Sequence, residues 1–77
     1  ADKLMNIDGI EASFAICRIG SQISISARSQ GKINVQLILE KLGGGGHFDA
    51  AGAQISEMTM KEVLEKLKES IDEFLNE

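Results

Sequence analysis

Proline, tryptophan and tyrosine are absent, and cysteine and histidine occur once each, as Cys17 and His47. A single cysteine permits no internal disulfide, so stapling is excluded and a reducing, cytoplasmic setting is expected. One histidine and one cysteine argue against a self-contained zinc or His/Cys catalytic site. No apolar run approaches the ~18 residues that a membrane span needs. No basic-then-apolar leader opens the chain, so no secretory signal is expected. The pattern offers no paired carboxylate site, no metal-ligand cluster and no nucleophile beside a base. Any reaction centre is therefore expected outside these residues, and this segment is expected to bind and orient.

What is present is ordinary for one small globular domain: 77 residues, 43% hydrophobic and 26% charged. At this size folding buries only roughly 60% of the unfolded surface, which allows one core but no large internal cavity. The net charge of −4 is uneven. Up to residue 56, Lys3, Arg18, Arg28, Lys32 and Lys41 balance Asp2, Asp8, Glu11, Glu40 and Asp49. The excess lies in the last segment, where Lys61, Lys66 and Lys68 face Glu57, Glu62, Glu65, Glu69, Asp72, Glu73 and Glu77. Duplex DNA as the main ligand is disfavoured, because broad basic faces supply that affinity. A small phosphorylated ligand needs only a few local donors.

Residues 1–9 read as a linker or helix end arriving from a preceding domain, with Leu4, Met5 and Ile7 able to pack and Asp8-Gly9 a turn signal. The domain proper is expected over 10–77. Residues 11–19 and 22–28 alternate as strands around a Gly20-Ser21 turn, which sets Ile16 opposite Ile25 and Phe14 opposite Ala27. Cys17 reads as a small buried hydrophobe. Ser29-Gln30-Gly31 breaks the second strand. Asn34 is placed to cap a helix with its apolar face on Val35, Ile38, Leu39 and Leu42, an Ile33–Ile38 staple, and Gly43 as the left-handed stop.

Residues 47–52 read as an irregular turn or one helical turn, and Ala53 to Glu57 as a short strand. The last helix carries a Thr59/Glu62 capping box, a Met58–Val63 staple, and an apolar stripe of Met60, Val63, Leu64, Leu67, Ile71, Phe74 and Leu75. Glu62 and Lys66 are spaced for an i,i+4 pair. The expected fold class is α/β (α+β): a small mixed β-sheet in the order β-β-α-β-α, with helices packed on the sheet.

The unusual feature is Gly43-Gly44-Gly45-Gly46 followed by His47. Successive glycines let a backbone approach a ligand without Cβ clash and can turn several N–H groups toward an anion. A flexible connection is the competing reading, and a lone glycine run is a weak signal. Arg28 and Ser29 end a strand upstream. If they lie beside the glycines, a guanidinium, a hydroxyl, an imidazole and backbone amides converge on one phosphate or phosphodiester. Asn34 could add an amide, although helix capping competes for it. Ala50, Ala51 and Gly52 would keep the wall behind His47 thin, or simply pack closely.

These motifs carry a resemblance. Ile25-Ser26-Ala27-Arg28-Ser29, Ile33-Asn34-Val35, and Gly43 to Phe48 with Ala50-Ala51-Gly52 resemble the Asp-His-His-associated C-terminal domain (DHHA1 type) of phosphoesterases. That superfamily includes RecJ-type single-strand exonucleases, nano-RNases and cyclic-di-AMP phosphodiesterases, and the similarity spans about residues 8–76. The wording around Gly31-Lys32-Ile33-Asn34-Val35-Gln36 and the glycine run is most similar to the GdpP type, whose phosphoesterase module follows a membrane anchor and sensor domains. Many relatives have proline after the histidine. Phe48 stands there in this chain, which favours the cyclic-dinucleotide branch.

The resemblance implies a division of labour. An adjoining Asp-His-His domain of the same chain would hold two manganese ions and the activated water. This domain would hold a cyclic dinucleotide, or a short oligonucleotide, across the cleft. Gly44, Gly45, Gly46 and His47 would contact a substrate phosphate, and Arg28 with Ser29 would hold the nucleotide. No metal ligand is expected in this fragment, which would be cytoplasmic even if the parent protein is anchored. A homodimer is kept open. The alternatives are a substrate domain of a nano-RNase or RecJ-like exonuclease, and a non-catalytic RNA-binding module of the alanyl-tRNA synthetase type. The acidic balance argues against the last.

Overall fold

The computed structural model describes residues 3–7 by their backbone and residues 12–30 and 32–76 in full. Strands β1 (Lys3–Ile7), β2 (Ala12–Ile19) and β3 (Gln22–Ser29) are followed by helix α1 (Val35–Glu40). Strands β4 (Gly45–His47) and β5 (Ala50–Ser56) and helix α2 (Met60–Leu75) complete the chain. The five strands form one sheet in the order β1-β2-β3-β5-β4.

The central hairpin follows from alternation and turn chemistry. Gly20 takes the positive φ of the two-residue turn, 61°, where a Cβ would be strained. The turn pairs Ile19 with Gln22, and the register then places Ile16 opposite Ile25 and Phe14 opposite Ala27, as the pattern requires. Phe14, Ile16, Ile23, Ile25 and Ala27 are buried on one face. Both helices lie against that face, through Val35, Ile38 and Leu39 of α1 and Val63, Leu67 and Ile71 of α2.

Helix ends are set by local groups. The Asn34 side chain accepts from Leu37 N at 3.2 Å, satisfying one of the unpaired donors of the first turn. At the other end Gly43 N donates to Glu40 O and Gly44 N to Leu39 O, with Gly43 at a φ of 87°. These bonds form a Schellman motif, which needs a left-handed residue where Gly43 stands. In α2, Glu62 N donates to Thr59 Oγ1 and Thr59 N donates to Glu62 Oε1, the reciprocal capping box. The Glu62 carboxylate is thereby turned to its own helix start rather than to Lys66. Ser70, the buried polar residue of α2, donates to Ile38 O at 2.6 Å and ties the two helices together.

Three expectations change. Lys3–Ile7 is a strand hydrogen-bonded to β2, not a helix end. The Asp8-Gly9 turn and the packing of Leu4, Met5 and Ile7 lie outside the described residues. Residues 47–52 belong to the β4–β5 hairpin and are not an irregular or helical turn, and β5 begins at Ala50 rather than Ala53. The sheet pairs antiparallel in every described ladder rather than mixing directions. The cause is the β4–β5 hairpin. The chain leaves α1 along β4 in the direction of β3, reverses at Phe48-Asp49, and returns as β5 between β3 and β4.

Candidate functional site

The sheet has a second face, turned away from the helices, and its composition is distinctive. It carries Ser13, Ala15 and Cys17 of β2, Ser24, Ser26 and Arg28 of β3, Ala50, Gly52 and Gln54 of β5, and Gly45 and His47 of β4. The alternation of each strand against its buried partners assigns them there. The interior of this face is built of small side chains and has no carboxylate among its described strand residues. The acidic excess sits on α2, behind the sheet.

Arg28 and His47 occupy one cross-strand row. Arg28 on β3 pairs with Ala50 on β5, and Ala50 pairs with His47 on β4. Two inter-strand spacings separate them, about 10 Å between backbones. Ala50 between them leaves the gap open to two long side chains. Both are exposed. Among the described residues the ion pair is Lys41–Glu73, so the Arg28 guanidinium has no internal counter-charge. Arg28, Ser26, Gly45, Gly46, Ala50 and Gly52 border one open groove of about 330 Å³.

The glycines divide by the reason each lacks a side chain. Gly43 is the helix stop. A Cβ on Gly44 would stand 2.2 Å from Gly52 O and 2.6 Å from Ala53 Cβ, so close packing on β5 dictates that glycine. Gly46 has a φ of 146°, and a Cβ there would meet Ala50 O at 2.7 Å. Gly45 is different: a Cβ would meet nothing within 4 Å, and its φ is not in the left-handed range. The fold does not ask for glycine at 45, and the space that a side chain would fill belongs to the groove.

The glycine run is therefore not a nest of converging amides. The N–H groups of Gly43 and Gly44 are used on α1 carbonyls. The Ser29 N to Asp49 O bond fixes the phase of the β3–β5 ladder, and antiparallel alternation then turns the Gly46 N–H away from β5, off the sheet edge. That direction leads away from β3, so the Arg28 guanidinium is what this face offers an anion. The Phe48-Asp49 turn is held from both sides, since Ser29 N donates to Asp49 O at 2.9 Å and Val35 N to Phe48 O at 3.0 Å.

Two expected residues sit elsewhere. Ser29 has the parity of buried Ala27 and is half-buried toward the helix side, one step past Arg28 and facing the other way. Asn34 is engaged in capping α1. Ser24, Ser26 and Gln54, which sequence reasoning passed over, lie on the same face as Arg28. Their even spacing from Arg28 and Ala50 was the available signal. Among the described residues no group of three or more His, Cys, Asp or Glu could hold a metal ion, and no helix is long and apolar enough to cross a membrane.

Residues 1–77 match the family described as DHHA1 domain. The chain is 49% identical over 75 residues to the cyclic-di-AMP phosphodiesterase GdpP of Bacillus subtilis, covering 96% of this chain and 11% of that protein. It is 47% identical to the cyclic-di-AMP phosphodiesterase PdeA of Listeria monocytogenes, again covering 96% of this chain and 11% of the relative. It is 33% identical over 69 residues to the bifunctional oligoribonuclease and PAP phosphatase NrnA of Thermus thermophilus, covering 90% of this chain and 21% of that protein. The chain thus spans a small fraction of the length of these relatives.

Proposed function

The chain belongs to the DHHA1 domain family, and on that premise we propose that its open sheet face is the substrate-binding half of a cyclic-di-AMP phosphodiesterase. The observation that carries the reading is the shared groove of Arg28, Gly45 and Gly46 on a face with no carboxylate among its described strand residues. A phosphodiester is an anion with several acceptor oxygens. Arg28 provides a charge that no described residue neutralises, in a fork geometry suited to phosphate. Gly45 lets the ligand come against the backbone, and His47 closes the row.

The hydrolytic step belongs, on this reading, to the adjoining Asp-His-His domain of the parent protein. The two manganese ions expected with that domain have no ligand set among the described residues here, and no step in this chain is routed through them. The contribution of this domain is to hold and orient the phosphodiester, which is where much of a hydrolase's rate advantage is secured. Relatives named cyclic-di-AMP phosphodiesterases support the cyclic substrate over others.

A second reading keeps the site and changes the substrate to short linear oligonucleotides. The similarity to an oligoribonuclease favours it, as does a groove open to solvent. The test is the turnover of cyclic-di-AMP against short oligoribonucleotides by the full-length protein and its Arg28→Ala variant. Cyclic-dinucleotide hydrolysis that falls sharply in the variant supports the first reading. Hydrolysis of linear substrates alone replaces it with the second.

A further inference from the structure

The groove does not end at Arg28. A second compartment of about 480 Å³ continues along the same face and is bordered by Ser24, Ser26, Gly45, Gly52 and Gln54. It shares Ser26, Gly45 and Gly52 with the Arg28 compartment. Ser24 and Gln54 are cross-strand partners four residues along from the Arg28–Ala50 pair. That is about 13 Å of strand, and the long side chains at either end shorten it to the reach of one nucleotide.

The two ends differ in chemistry. The Arg28 end has a free cation. The Gln54 end has no charged side chain, only a hydroxyl and an amide, so it suits the neutral part of a ligand. The amide is also available. Gln22 Nε2 is held by Ser56 Oγ at 3.3 Å and Gln36 Nε2 by Glu40 Oε2 at 3.2 Å. Among the described residues, nothing occupies the exposed Gln54 amide.

A glutamine amide presents an acceptor and a donor side by side in fixed geometry. On its N7 edge adenine offers the complement, the N6 amine beside the N7 acceptor. A 6-oxo purine offers two acceptors there and leaves the amide oxygen facing another oxygen. We propose that Gln54, assisted by the Ser24 hydroxyl, reads the nucleobase and selects adenine over 6-oxo purines. This rests on the phosphate-binding reading above, because the phosphate held at Arg28 is what delivers the base to Gln54.

The experiment compares kcat/KM of the full-length protein on cyclic-di-AMP and on its hypoxanthine analogue, which differ at C6 of the base. The wild type is expected to prefer adenine. Gln54→Ala is expected to cut that preference by roughly 5- to 150-fold, the range for one bidentate amide–base contact. It should act chiefly through the adenine substrate, and Ser24→Ala should shift the ratio less and in the same direction. Unfolding temperature checks folding, and if Gln54→Ala does not fold, Gln54→Glu carries the test, since it keeps the size and removes the donor. No preference in the wild type, an unchanged ratio in the variants, or an equal loss on both substrates overturns base reading. If only linear substrates are turned over, the cyclic-substrate reading fails by itself. The adenine-to-hypoxanthine ratio on linear dinucleotides then decides the role of Gln54 by the same outcomes.

Discussion

Arg28 and His47 are joined through Ala50: each is the register partner of that one residue, so a cation and an imidazole stand on one row with an alanine between them. The row crosses three strands, of which β3 is separated in sequence from the β4–β5 hairpin by α1. It exists only because β5 inserts between β3 and β4. The proposed anion site is thus a product of topology, not of the glycine run alone.

Arg28→Ala in the full-length protein is expected to weaken transition-state binding by about 1–3 kcal/mol, the range for losing a charge-assisted contact. This corresponds to roughly 5- to 150-fold in kcat/KM at 1.36 kcal/mol per decade. Arg28 is exposed and makes no ion pair with the described residues, so the unfolding temperature should hold. Steady-state kinetics beside a thermal melt checks both halves.

The glycines give a paired test. Gly44→Ala should destabilise the domain by about 1–3 kcal/mol or more, because its Cβ has no room against the β5 backbone. Gly45→Ala meets no atom within 4 Å and should leave the denaturation midpoint nearly unchanged. Yet Gly45→Ala should raise KM for the substrate, since the new methyl enters the groove. Equal stability losses in the two variants would show that Gly45 is also required by the fold.

Much of this architecture could be read before any coordinates. The β2–β3 register was fixed by two constraints that agree, a two-residue turn and a strict apolar alternation. The caps at Asn34, Gly43 and Thr59 were legible because each acts within a few residues of itself. What could not be read depends on pairing with other strands rather than on a segment's own pattern. Gly45–His47 has no strand propensity and becomes β4 because β5 offers it a ladder. Lys3–Ile7 is a strand because β2 has a free edge. The same limit affected the site: Arg28 stood out as a charge at a strand end, while Ser26 and Gln54 look like ordinary polar positions until the strands are placed side by side. Adjacency in sequence pairs Ser29 with Arg28, although neighbours in an extended strand face opposite ways.

Ser70→Ala removes a buried hydroxyl that bonds the carbonyl of Ile38 at 2.6 Å. The carbonyl loses its side-chain partner, which should cost about 1–2 kcal/mol of stability. The site lies on the other side of the sheet, so KM should not move. Denaturant unfolding and substrate titration on the same preparation separate the two effects.

Thr59→Ala takes away one half of the α2 capping box and should cost about 1 kcal/mol. Amide hydrogen exchange should speed up first at the α2 start, around Lys61 and Glu62. Uniform protection along α2 in the variant would show that packing of Val63 and Leu67, not the cap, holds that end.

The most direct measurement is a crystal structure of the full-length protein with a non-hydrolysable phosphorothioate analogue of cyclic-di-AMP. The account places a phosphate oxygen within hydrogen-bond reach of the Arg28 guanidinium, in the groove on the face away from the helices. A ligand phosphate seated anywhere else, with the Arg28 groove left to solvent, would contradict it.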